Sequence, residues 1–172
     1  MSATGIEFAK AAIAVAKKGY TYQQMDCQAF VEASLAKVGI KKNWRGSNHM
    51  WREALSWKGT VEECREAFGE VPVGAWLFTI KNDGGEKARG YTDNLGNAAH
   101  VGVYTGEGRG SVHSTNGGTQ EADFPSSRWT HVGLCSLLDY EKDYIPSPQE
   151  SVKDGLIQII NIVESLLNGY FA

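Results

Sequence analysis

Three residues carry the covalent chemistry this chain could perform: Cys27, His100 and His113. Cys27 opens the run Asp26-Cys27-Gln28-Ala29-Phe30-Val31, and Phe30, Val31, Leu35 and Val38 recur at helical spacing. Asp26 suits the N-cap and Gly39 the C-terminal stop, which places Cys27 in the first turn. There the free backbone N–H groups and the helix dipole favour an anion, so the thiol is expected to ionise more readily than an ordinary cysteine. An adjacent imidazole would complete a nucleophile. His100 and His113 fall on two strand-patterned runs joined by Gly106-Glu107-Gly108-Arg109-Gly110, which reads as a hairpin turn. On the first strand His100, Gly102 and Tyr104 share a face; on the second, Ser111, His113 and Thr115 do. Pairing across the turn is expected to set the histidines nearly opposite each other on one side, one as base and the other as its orienter.

The elements that must hold these residues follow from capping and periodicity. Thr4 and Glu7 form a capping box, Ile6, Ala9, Ile13 and Ala16 a stripe, and Lys17-Lys18-Gly19 a stop. A short loop from Tyr20 to Met25 leads to the Cys27 helix. Lys41 to Gly59, with Trp44, Trp51 and Trp57, reads as irregular structure around a short helix starting near Ser47. Thr60 and Glu63 make a second capping box, with Val61, Cys64 and Phe68 apolar and Gly69 as the stop. From Val71 the pattern turns to strands: Ala75 to Ile80, Ala99 to Thr105, Ser111 to Thr115 and His131 to Leu138. Helices followed by sheet predict an α+β domain. Lys81 to Ala98, long and rich in glycine and charge, is expected to form a wall or lid of the site.

With 172 residues, 42% of them hydrophobic, the chain suits one domain with a real core. A net charge of −3 with scattered lysines and arginines excludes a nucleic-acid footprint. No stretch reaches the ~20 apolar residues that span a bilayer, and no signal peptide is read, so the expectation is a product made in the cytoplasm. Three cysteines, few and far apart, argue against a disulfide scaffold or a four-cysteine zinc site.

Three stretches, in this order, resemble the NlpC/p60-type cell-wall cysteine peptidases. Met25 to Val31 is similar to the family's Asp-Cys-Ser-Gly-Phe-Val nucleophile motif, Val71-Pro72-Val73-Gly74-Ala75-Trp76-Leu77-Phe78 to its Pro-Gly-Asp-Leu-Leu-Phe strand, and His100-Val101-Gly102-Val103-Tyr104-Thr105-Gly106 to its His-Val-Gly-Ile-Tyr-Ile-Gly motif. Val112-His113-Ser114 falls where the family carries its third polar residue. The resemblance implies a papain-like domain over residues 1–143, with N-terminal helices packed on a small antiparallel β-sheet. It implies Cys27 as nucleophile, His100 as general base and His113 as its orienter, without metal or cofactor. The implied activity is hydrolysis of amide bonds in bacterial peptidoglycan peptides, with a phage or prophage system among the sources the resemblance allows. Tyr20 or Tyr22 would line the substrate groove, and Asp26 and Gln28, flanking the nucleophile, are further substrate-binding candidates. Gln28 and Ala29 stand where the family has serine and glycine, and Ala75 where it has aspartate. These departures cluster where the family grips its substrate.

Other readings compete with this one. Cys64 and Cys135, among apolar neighbours, are expected to be small core residues, and His49 and His131 surface or core-edge histidines. Cys27, His100 and His113 could instead hold zinc with a water, a reading ranked below nucleophilic catalysis. A non-catalytic wall-binding or virion-structural module, and an acyltransferase using the same thioester, are the functional alternatives. In residues 144–172, Ile145-Pro146-Ser147-Pro148 reads as a stiff linker. A C-terminal helix follows, whose stripe runs through Val152, Leu156, Ile159, Ile160, Val163, Leu166, Leu167 and Tyr170. Packing on its own domain is preferred for it, then a homodimer, with stable membrane insertion disfavoured.

Overall fold

Both capping boxes form as the sequence predicts, and they fix where two of the helices begin. The Thr4 hydroxyl accepts from the Glu7 N–H while the Glu7 carboxylate accepts from the Thr4 N–H, opening α1 at Gly5–Ala16; Thr60 and Glu63 do the same for α4 at Val61–Phe68. Asp26 caps α2, Cys27–Lys37, by accepting from the Ala29 N–H at 2.8 Å. The short helix expected near Ser47 is α3, Ser47–Glu53. This computed structural model describes residues 3–83 and 90–140. The expected linker and apolar helix of residues 144–172 lie outside the described residues, as does the middle of the Lys81–Ala98 segment.

The domain is α+β, with a six-stranded, wholly antiparallel sheet. Its strands are β1 (Leu55–Thr60), β2 (Trp76–Lys81), β3 (Asn97–Tyr104), β4 (Gly110–Thr115), β5 (Gly118–Asp123) and β6 (His131–Cys135), in the spatial order β1-β6-β2-β3-β4-β5. Two of these correct the sequence expectation. The segment expected to be irregular contains β1, so the sheet begins before α4, and β5 is not among the expected strands. Both are edge strands, and edge strands carry polar or half-buried residues that erase the apolar alternation. The last strand also stops at Cys135, short of Leu138.

Alternation along the central strands sorts the core into two layers. Trp76 and Phe78 of β2 and Val101 and Val103 of β3 pack with α1, α2 and α3, meeting Phe8, Phe30, Leu35, Met50 and Trp51. Leu77 of β2 faces the other side, with Val61 and Cys64 of α4, Val132, Leu134 and Trp129. Cys64 and Cys135 are fully buried and Cys27 is 7% exposed. Desolvation in these cores pushes the Cys64 thiol up to about 12 and the Cys135 thiol up to about 11, which makes both inert. His49 accepts from the Arg45 N–H at 3.1 Å, and His131 lies edge-on to Trp51 at the core margin.

Candidate active site

The two strand histidines meet, but by a different register from the one expected. In the β3–β4 pairing His113 faces Gly102, while His100 lies opposite Thr79 of β2. The histidines are therefore diagonal neighbours, two residues apart along β3 on the same face, and not a directly opposed pair. A bulge lies on the other side of β3, in its pairing with β2. Between Ile80↔Ala98 and Thr79↔His100 the residue Ala99 is extra, and such an insertion re-aims the side chain beside it. The His100 Nε2 to His113 Nδ1 distance is 2.9 Å.

That contact couples the tautomers of the two rings. One proton must lie between the two nitrogens. Placed on His100 Nε2 it is donated to His113, and His100 Nδ1 keeps a lone pair free for a thiol proton. Burial, followed by the positive charges of the neighbouring His113 and Arg128, holds His100 down to about 3; burial and Arg128 hold His113 down to about 4. Both rings are thus neutral near pH 7, the state in which one can accept and the other orient.

Trp129 completes this half of the site. Its indole stacks on His100, with centroids 5.6 Å apart and planes 18° apart, and lies edge-on to His113 at 5.4 Å. Trp129 Nε1–H donates to the Ser111 hydroxyl at 3.1 Å, and that hydroxyl donates to the Ala122 carbonyl at 2.7 Å. Gly102 makes room for the ring, because a Cβ there would lie 2.6 Å from the indole edge. Trp129 was not singled out from the sequence, although a glycine inside a strand signals such a close approach.

The thiol half is anchored to the far end of the sheet. The Ser114 hydroxyl donates to the Met25 carbonyl, tying the residue before the Asp26 cap to β4. Tyr20 N–H donates to the Thr119 hydroxyl at 3.0 Å, and Thr119 N–H returns to the Tyr20 carbonyl at 2.8 Å, fastening the preceding loop to β5. Gly118 permits this approach, since a Cβ there would meet the Tyr20 carbonyl at 2.6 Å. Tyr20 is thereby a loop anchor.

Tyr22 has the other position. Its phenol is in hydrogen-bonding contact with both the side chain and the backbone N–H of Cys27; burial, followed by the nearby Cys27 charge and the bond to its side chain, pushes the phenol up to about 12, while the backbone bond acts the other way. It also lines, with His100, Lys81, Asn116 and Arg128, a cleft of about 310 Å³. Tyr22 is thus the residue that touches Cys27 and shares a cleft with His100; Cys27 itself packs in the layer of Val101 and Val103, whereas His100 stacks on Trp129 of the other layer. The Tyr22 hydroxyl sits at the Cys27 N–H, the donor that a helix start offers to an oxyanion.

The remaining candidates fall elsewhere. Asp26 accepts from the Ala29 N–H as a cap, and the Gln28 amide donates to Glu32 at 2.8 Å and to the Trp44 carbonyl. Of the Lys81–Ala98 segment, Lys81 reaches the cleft, while Asp93 turns away to clamp Arg52 at 2.7 Å. No group of three His, Cys, Asp or Glu side chains among the described residues is placed to hold a metal ion. The zinc alternative also conflicts with the histidine nitrogens bonding each other rather than a common centre. No helix among the described residues is long and apolar enough to cross a membrane. No protein-family model, curated protein or solved structure matches the chain.

Proposed function

We propose that this domain is a papain-like cysteine hydrolase of the NlpC/p60 kind that cleaves amide bonds in bacterial peptidoglycan peptides. The observation that carries the proposal is His100, bonded to His113 and sharing a cleft with the tyrosine that contacts a helix-start cysteine. The thiol passes its proton to His100 Nδ1 as sulfur attacks the carbonyl carbon. The oxyanion that forms is met by the Cys27 N–H, where the Tyr22 hydroxyl rests in the free protein. Collapse breaks the C–N bond, and His100 returns its proton to the leaving amine. Water then adds to the thioester with His100 again as base, releasing the carboxylate and the thiol. His113 keeps the ring in the productive tautomer, and Trp129 limits its rotation.

Of the two tyrosines, Tyr22 is the groove residue in this account. The test is digestion of purified peptidoglycan followed by mass spectrometry of the soluble fragments. The account predicts new peptide ends differing from their precursors by addition of water, at one type of amide bond, and none with Cys27→Ala. Unchanged peptidoglycan with the parent protein would refute it.

A further inference from the structure

Strand β3 changes face partway along its length. Val101 and Val103 point into the layer of α1, α2 and α3, while His100 and Gly102 take the opposite face beside Trp129. Strict alternation would place Ala98 on the His100 side, yet Ala98 is fully buried in the α3 layer with Val101 and Val103. The extra residue Ala99 makes the change, because a one-residue insertion moves every side chain beyond it to the other face. The face from which the imidazole emerges therefore depends on Ala98 being held in place.

Helix α3 supplies that hold. β4 pairs with β3 only from Gly102 to Tyr104, so that pairing does not reach Ala98. There the Ala98 N–H donates to Asn48 Oδ1 at 2.9 Å, and the Ala98 carbonyl accepts from the Ser47 hydroxyl at 2.6 Å. The Ile80 N–H of the facing residue is engaged by the Thr130 hydroxyl at 2.9 Å. Asn48 is itself oriented, since its Nδ2 donates to Asn97 Oδ1 at 2.8 Å and its Oδ1 also accepts from Arg52 at 3.0 Å. Ser47 and Asn48 are buried, at 4% and 2% exposure, where loss of either side chain strands a backbone group without its partner.

We propose that Ser47 and Asn48 are positioning residues for His100: by gripping Ala98 they keep Ala99 as the extra residue and hold the imidazole on the face where it meets His113. Neither lines the cleft that holds His100, so they act through the backbone of Ala98 and Ala99. Release of Ala98 lets the bulge move along β3, which displaces the ring from its bond to His113. The inference rests on the hydrolase reading for the rate of reaction but not for the histidine pair.

The test is NMR on the full-length protein carrying isotope-labelled histidine. The parent should show scalar coupling across the hydrogen bond between His100 Nε2 and His113 Nδ1. Asn48→Ala should abolish it and Ser47→Ala weaken it, while Ser47→Thr, which keeps the hydroxyl, should retain it. Tyr140→Phe controls for general destabilisation. It removes two hydrogen bonds, to the Gly74 carbonyl and from the Cys135 N–H, at the end of β2 away from Thr79 and His100, and should leave the coupling intact. On a synthetic peptidoglycan stem peptide, kcat should fall about 10–100-fold in the two alanine variants with KM little changed, because the ring is misplaced and the cleft is not. If Asn48→Ala does not fold, Ser47→Ala against Ser47→Thr decides. A parent without the coupling, folded alanine variants that keep it, or equal loss in Tyr140→Phe would overturn the inference. Coupling lost as expected while the parent cleaves no peptide would sustain the positioning role and refute the hydrolase. Cleavage at the parental rate by alanine variants that keep the coupling would do the reverse.

Discussion

His100 and His113 are bonded nitrogen to nitrogen at 2.9 Å although neither is the other's cross-strand partner; Gly102 holds the position opposite His113. The diagonal geometry lets each ring use a different nitrogen for the shared proton, and it separates their roles. His100→Ala should reduce amide hydrolysis by about 100-fold or more, as expected for loss of a general base. His113→Gln should retain part of the activity because an amide can still accept from His100 Nε2–H. A His113→Ala variant as active as the parent would reduce the triad to a pair.

The same burial predicts how stability follows pH. His100 at about 3, His113 at about 4 and the lowered His131 all bind protons less readily folded than unfolded, where imidazole titrates near 6.5. Their contribution is complete above about 6.5 and is lost as pH falls toward 4. Carboxylates such as Asp93, held down to about 2 by Arg52, contribute their loss only below that window. The thermal midpoint should fall between pH 6.5 and 4.5, and fall less in His100→Gln/His113→Gln. Identical pH dependence in the two proteins would contradict the assignment.

The three thiols should differ in reactivity. Cys64 and Cys135 are fully buried with thiols pushed up to about 12 and 11, whereas Cys27 is 7% exposed at a helix start. Iodoacetamide near neutral pH should label Cys27 much faster than the other two, as peptide mapping would show. Labelling at equal rates would count against a nucleophile at that position.

Gly102 gives a packing test. A Cβ at this position meets the Trp129 ring at 2.6 Å, the Val112 carbonyl at 3.0 Å and His113 Cβ at 3.1 Å. Gly102→Ala should destabilise by about 1–3 kcal/mol through overpacking. It should also displace Trp129 from His100 and lower the catalytic rate more than substrate affinity. Combining it with Trp129→Leu should cost less stability than the sum of the two single changes, because they share one space. Strict additivity in denaturant unfolding would show that the ring and the glycine are not coupled.

Much of this site was legible because local rules governed it. Asp26 announced a cap and Gly39 a stop, so Cys27 could be placed at a helix start from composition alone. Alternation along β3 and β4 put His100 and His113 on one face, but it could not reveal the extra residue at Ala99, which is a property of strand pairing. Trp129 and Arg128 escaped notice because they lie between strands, where no periodicity operates, and only tertiary contact brings them to His100. The choice between Tyr20 and Tyr22 likewise depended on how Thr119 and Gly118 fasten the loop, a pairing some hundred residues away in sequence.

The most direct measurement is the rate at which new amino groups appear in purified peptidoglycan incubated with equal amounts of folded parent, Cys27→Ala and His100→Ala protein. Cys27→Ala should melt within a few degrees of the parent, because the change removes chemistry more than packing. The account predicts steady amine release by the parent and release indistinguishable from the protein-free control by both variants. Release by Cys27→Ala at the parental rate would contradict a thiol nucleophile outright.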